Sequence, residues 1–70
     1  MKLSARNQLK GKVVRLLVGA VNTEVIIEIA SGVQISSIIT KESAEGLKLK
    51  IGSDVYAVIK ASNVMVGIDD

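Results

Sequence analysis

Between Thr23 and Ala30 the side chains alternate: Val25, Ile27 and Ile29 fall on one side of an extended chain, and Glu24, Ile26 and Glu28 on the other. A period of two places an apolar row on one face of a strand, whereas a helix would scatter the same residues around its circumference. This segment is therefore a β-strand with one side toward a core.

The flanking runs follow suit. Val13-Val14-Arg15-Leu16-Leu17-Val18 is β-rich, and the tight-turn composition Gly19-Ala20-Val21-Asn22 breaks it, which predicts a hairpin. Ser31-Gly32 is a second turn signal, after which Val33, Ile35, Ser37 and Ile39 share a face in a third strand of an antiparallel meander. Thr40 is placed to cap a helix over Lys41-Glu42-Ser43-Ala44-Glu45, which Gly46 limits to one or two turns. Leu47 to Asp54 leads into a strand over Val55 to Lys60 with two mainly apolar faces. From Asn63 to Ile68 the residues Val64, Val66 and Ile68 alternate with Met65 and Gly67 as a fifth strand, and Asp69-Asp70 reads as a frayed polar tail. Five short strands with a small helix between the third and fourth is the order of a five-stranded, OB-like Greek-key barrel, all-β with one short helix. No linker, repeat or low-complexity tract divides residues 1–70, so they read as one domain.

Composition then narrows the function. A chain of 70 residues buries about 60% of the surface that it exposes when unfolded, and 49% hydrophobic residues are more than one such core can hide. With no Cys and no His there are no disulfides, thiolate or imidazole metal sites, and no Ser-His or Cys-His catalytic pair. Self-association is the remaining way to stabilise so short a fold. The net charge of +2 comes from basic residues scattered between Lys2 and Lys60, without a run that would read as a nucleic-acid or membrane arm. No apolar stretch approaches the ~20 residues of a membrane span, and the N-terminus turns polar by Ser4, so the default location is the cytoplasm.

An OB barrel suggests oligonucleotide binding, but such sites stack bases on aromatic rings and Tyr56 is the one aromatic residue. On its aliphatic strand it reads as a core or interface residue with the hydroxyl at the edge. The seven carboxylates are dispersed; the pairs Glu24/Glu28 and Glu42/Glu45 read as solvated faces, and no acidic loop could hold a hard cation. An enzyme is not indicated. What stands out is a supply of small donors beside fixed cations. Ser4-Ala5-Arg6-Asn7 and Lys60-Ala61-Ser62-Asn63 each combine a cation, a hydroxyl, an amide and a small residue that permits close approach to backbone N–H groups. Gly19-Ala20-Val21-Asn22 adds backbone donors without bulky side chains. This is anion-binding chemistry, although each segment alone would also serve as a solubilising turn or strand end.

At these residues the sequence resembles the molbindin, or Mop, family of small molybdate-binding proteins. The resemblance runs from Lys2-Leu3-Ser4-Ala5-Arg6-Asn7-Gln8-Leu9-Lys10-Gly11 through Gly19-Ala20-Val21-Asn22 to Tyr56-Ala57-Val58-Ile59-Lys60-Ala61-Ser62-Asn63-Val64-Met65-Val66-Gly67. Leu16-Leu17-Val18 is more apolar than the family pattern. The resemblance implies an OB-like barrel assembled as a homohexamer, a trimer of dimers, with molybdate or tungstate as the ligand held between subunits, and a role in intracellular molybdenum storage or homeostasis. It assigns ligand contacts to Ser4, Ala5, Arg6, Lys60, Ala61 and Ser62 of one subunit and to Gly19, Ala20 and Val21 of a neighbour. The competing expectation is an oligomeric OB-type interaction module whose anion binding is incidental.

Overall fold

The computed structural model describes residues 1–69, so the expected polar tail lies outside the described residues at Asp70. Four strands form one antiparallel sheet: β1 (Asn7–Val18), β2 (Asn22–Ala30), β3 (Val33–Thr40) and β4 (Asp54–Ile59), in the order β3-β2-β1-β4. A single-turn helix, α1 (Lys41–Gly46), joins β3 to the segment that leads into β4. Among the described residues no helix is long and apolar enough to cross a membrane.

β1 begins six residues before the β-rich run at Val13 and serves two partners in succession. Asn7 to Lys12 pair with β4, and Lys12 to Val18 pair with β2, so Lys12 faces Asp54 on one side and Glu28 on the other. The hand-over requires a bend, and two residues provide it. Gly11 lies so close to β2 that a Cβ there would sit 2.5 Å from the Glu28 carbonyl oxygen and 2.9 Å from Cγ2 of Ile27. The register with β2 then slips between Val13 and Arg15, a bulge that leaves Val14 extra and turns both Val13 and Leu16 inward. The resulting curled sheet closes on Val13, Val25, Ile27 and Ala57, with Leu16, Ile29, Ile35, Ile39, Leu49 and Val55 packed around them. The alternation over Thr23 to Ala30 is confirmed for Val25 and Ile27. Ile26, on the opposite face, is also buried, between its cross-strand neighbours Arg15 and Ser36.

The helix starts as expected: the Thr40 hydroxyl accepts from the Ser43 N–H at 3.0 Å. It ends differently. Gly46 is the last helical residue, and the chain reverses at Lys48, which carries φ of 54°. Lys48 N–H donates to the Glu45 carbonyl and Leu49 N–H to the Ala44 carbonyl, the two bonds of a Schellman closure, with a lysine in the left-handed position that usually takes glycine.

Two expectations about the C-terminal third are corrected. There are four strands and no closed five-stranded Greek-key barrel among the described residues. Ala61–Asn63 form a 3-10 turn that carries the chain off the sheet, and Val64 to Asp69 run on without a strand partner and with exposed side chains. A segment alternating in apolar residues becomes a strand only where an edge is available to pair with it. β4 is not buried on both faces either: Ala57 is buried and Val55 and Ile59 half-buried, whereas Val58 and Tyr56, 48% exposed, face outward, so the tyrosine is no core residue of the single chain.

Three outcomes are expected. Gly11→Ala forces β1 away from Glu28 and destabilises the fold by about 1–3 kcal/mol, read from chemical unfolding. Lys48→Gly relieves the left-handed lysine and stabilises by about 0.5–1 kcal/mol in the same assay. The Lys12 ammonium, bonded to the Asp54 carboxylate at 2.8 Å, holds that carboxyl below its ordinary pKa, first by the hydrogen bond and then by charge. A depressed carboxyl stabilises the fold above its unfolded pKa and loses that contribution as pH falls through the folded one. Both side chains are exposed, so the midpoint seen by carboxyl NMR should return toward normal in Lys12→Met and in molar salt.

Candidate functional site

The β1–β4 ladder decides where the basic segments meet. Its last rung is Asn7↔Ile59, fastened by the Asn7 side-chain amide donating to the Ile59 carbonyl at 3.2 Å. Arg6 directly precedes this rung on one strand and Lys60 directly follows it on the other, so residues 4–6 and 60–62 leave the ladder at the same end. Two segments more than fifty residues apart in sequence thus emerge side by side at one end of the sheet. The Gln8 side chain donates to the Ala5 carbonyl at 3.2 Å and ties down the N-terminal arm. On the other side, Asn63 N–H donates to the Lys60 carbonyl at 2.9 Å and Val64 N–H to the Ala61 carbonyl at 3.2 Å, which fixes the turn. The sequence does not mark Asn7 or Gln8 as anchors: the Asn7 bond depends on the register with β4, and the Gln8 bond on the local bend that brings the Ala5 carbonyl within its reach.

These bonds consume acceptors and leave donors. Among the described residues, the backbone N–H groups of Ala5, Arg6, Lys60, Ala61 and Ser62 donate to no backbone carbonyl, and neither Arg6 nor Lys60 is in an ion pair. The Asp54 carboxyl, whose pKa is lowered, is engaged by Lys12 at the other end of the ladder, five rungs or roughly 17 Å away. Two cations, two hydroxyls and a set of unpaired amides, with no carboxylate side chain among the six residues, suit a fully deprotonated oxyanion. Ala5 is half-buried and the other five residues are exposed, so in one chain this donor set is open to water. No group of three or more acidic residues among the described residues could hold a metal cation.

The third candidate segment lies elsewhere. Gly19, Ala20 and Val21 form the turn between β1 and β2, at the opposite end of β1 from Ser4 to Arg6. A straight strand of that length spans roughly 36 Å. The structure does not bring this turn to the basic segments within one chain. Gly19 is also no free donor: its N–H is bonded to the Asn22 carbonyl at 2.8 Å. The N–H groups of Ala20 and Val21 donate to no backbone carbonyl among the described residues. Beside the turn lies an open depression of about 540 Å³ lined by Leu16, Leu17, Val18, Gly19, Asn22, Glu24 and Ile38. The apolar Leu16-Leu17-Val18 run therefore borders the turn.

Comparison with known proteins follows the same residues. Residues 3–66 match the model of the TOBE domain family. A probable molybdenum-pterin-binding protein of Haemophilus influenzae is 49% identical over 69 residues, covering 99% of this chain and all of that protein. Among solved structures, MopII from Clostridium pasteurianum superimposes with a TM-score of 0.89 at 51% identity, over 96% of this chain and 100% of that one. The cytoplasmic molybdate-binding protein ModG, solved with molybdate bound, gives a TM-score of 0.93 at 48% identity, over 99% of this chain and 49% of the longer ModG chain.

Proposed function

The chain belongs to the TOBE domain family and, within it, to the Mop proteins, and on that premise we propose that it binds molybdate or tungstate between copies of itself. The observation that supports this reading is the end of the β1–β4 ladder, which Arg6 and Lys60 flank among backbone amides without a carbonyl partner, neither cation being in an ion pair among the described residues. Ser4, Ala5, Arg6, Lys60, Ala61 and Ser62 of one copy supply charge, hydroxyl and amide donors, and the Gly19–Val21 turn of a neighbour closes the shell. The separation of the two donor sets along β1 supports a second copy as the source of the turn. ModG, which carries molybdate in its structure, shares this fold at 48% identity.

The assembly in this reading is a homohexamer, a trimer of dimers. The segment after Lys60 supports self-association: Met65, Val66 and Ile68 are 93%, 92% and 89% exposed, and a soluble chain does not leave such a run in water without cost. Pairing with a sheet edge of another copy would make it the fifth strand that the sequence pattern predicts and would complete the OB-like barrel. Residues 1–70 act as a single binding domain, cytoplasmic like ModG, that stores or buffers the oxyanion rather than transforming it.

The donor-only shell also accounts for selectivity. Molybdate and tungstate are tetrahedral dianions of nearly equal size. Phosphate, partly protonated near neutrality, would present a hydrogen that only a serine hydroxyl could receive, at the loss of the bond that hydroxyl would donate elsewhere, and sulfate is smaller than the shell requires. The expected result of calorimetric titration is that molybdate and tungstate displace each other while sulfate and phosphate compete poorly. Lys60→Ala removes a charge-assisted bond worth about 1.5–3 kcal/mol and weakens molybdate binding about tenfold to a hundredfold, while Ser4→Ala costs less. The oligomeric mass by native mass spectrometry stays unchanged in both. Undiminished affinity in Lys60→Ala, or equal competition by sulfate, would instead favour an interaction module with incidental anion binding.

A further inference from the structure

The turn between β1 and β2 is held at both ends by hydrogen bonds that no reading of the sequence assigns. Gly19 N–H donates to the Asn22 carbonyl at 2.8 Å, and the Val21 carbonyl accepts from Lys41 N–H at 2.8 Å. Lys41 is the first residue of α1, and its N–H is one of the helix-start donors that have no partner inside a helix. The Val21 carbonyl fills that role here. Thr40, on the last rung of the β2–β3 ladder opposite Asn22, is the cap of the same helix: its hydroxyl accepts from Ser43 N–H at 3.0 Å and donates to the Ser43 hydroxyl at 2.7 Å. A helix of six residues has little stability of its own, so its first turn, and with it the aim of Lys41 N–H, depends on that cap. Gly19 closes the other side: a Cβ there would lie 2.8 Å from the Asn22 carbonyl oxygen, inside any normal contact, so only glycine permits the closure.

We infer that Gly19 and Thr40 are positioning residues of the anion site: they pin the turn so that the Ala20 and Val21 amides, and not the Gly19 amide, are presented to the anion held by a neighbouring copy. This rests on the proposed interfacial site and assigns its turn-side donors. With its Val21 carbonyl bonded inward to α1 and its Gly19 amide bonded across the turn, the segment keeps two consecutive N–H groups uncommitted and in fixed orientation. Donors fixed in advance need not be ordered when the anion arrives, which is where preorganisation gains affinity.

The test uses the full-length, assembled, nitrogen-15-labelled protein titrated with molybdate, together with calorimetry on Gly19→Ala, Thr40→Val, Thr40→Ser and Lys60→Ala. The expected result is that the Ala20 and Val21 amide resonances move with saturation while that of Gly19 does not. Gly19→Ala and Thr40→Val lose roughly fivefold to tenfold in affinity at unchanged oligomeric mass, and Thr40→Ser, which keeps the capping oxygen, stays within about twofold of the parent. Should Gly19→Ala fail to assemble, the Thr40 pair and the amide shifts decide alone. Immobile Ala20 and Val21 resonances, or parental affinity in Thr40→Val, with Lys60→Ala still impaired, overturn the positioning roles and leave the interfacial site standing. Parental affinity in Lys60→Ala overturns both.

Discussion

The feature on which the rest of this structure depends is the sharing of one strand between two partners. β1 pairs with β4 through its first half and with β2 through its second, and Lys12 belongs to both ladders. A flat strand could not do this and still wrap a core as small as Val13, Val25, Ile27 and Ala57. The bend comes from the close approach at Gly11 and the extra residue at Val14, and the twist that a bulge adds is what curls the sheet. Two functional consequences follow from this single device. The first half of β1 delivers Ser4 to Arg6 alongside Lys60 to Ser62. The second half carries the Gly19–Val21 turn to the far end. One strand thus separates the two donor sets, and a shell that uses both needs a second chain.

The same economy explains why the chain is incomplete alone. Its fully buried apolar side chains are few, and large ones remain on the outside of β4, in the link after α1 and all along the C-terminal segment. In a domain this short the surface outgrows the core, and neither disulfide nor metal compensates. The proposed association with further copies is the means left, and it would place residues that are exposed in one chain at a protein boundary. Binding site and stability then have the same origin: the apolar surplus that drives assembly is what would bring the donor sets of different copies together.

The strands and the cap were readable because they depend on local pattern. Alternation located β2 and β3, Gly19-Ala20-Val21-Asn22 and Ser31-Gly32 located the turns, and Thr40 declared itself as a cap by its place before Lys41. What could not be read is what depends on register. That Asn7 anchors the basic arms follows from which residue of β4 faces it, and composition contains no trace of it. Gly11 did carry a signal, a glycine inside a β-rich stretch, but the need for it comes from Glu28, which is distant in sequence. The fifth strand shows the limit from the other side: Val64 to Ile68 has the alternation of a strand, and alternation specifies a face without supplying an edge to pair with. The bond of the Gly19 amide was out of reach for a related reason, since turn composition identifies a turn without saying which of its N–H groups the turn itself uses.

The proposed location at a boundary between copies would also determine what the donors are worth. Arg6 and Lys60 on an open surface would bind an anion through screened interactions that salt removes, as for any exposed ion pair. Covered by a neighbour, the same two charges act in a medium of lower effective dielectric, where each bond is stronger and each unmet partner more costly. Discrimination follows from that second property. A shell composed mainly of N–H groups would penalise a ligand that brings its own proton, and the penalty would grow as water is excluded, because no solvent molecule remains to accept it. In the proposed site the neighbour's amides would therefore be more than additional contacts: by closing the shell they would convert a generally basic end of a sheet into a site that distinguishes one oxyanion from another.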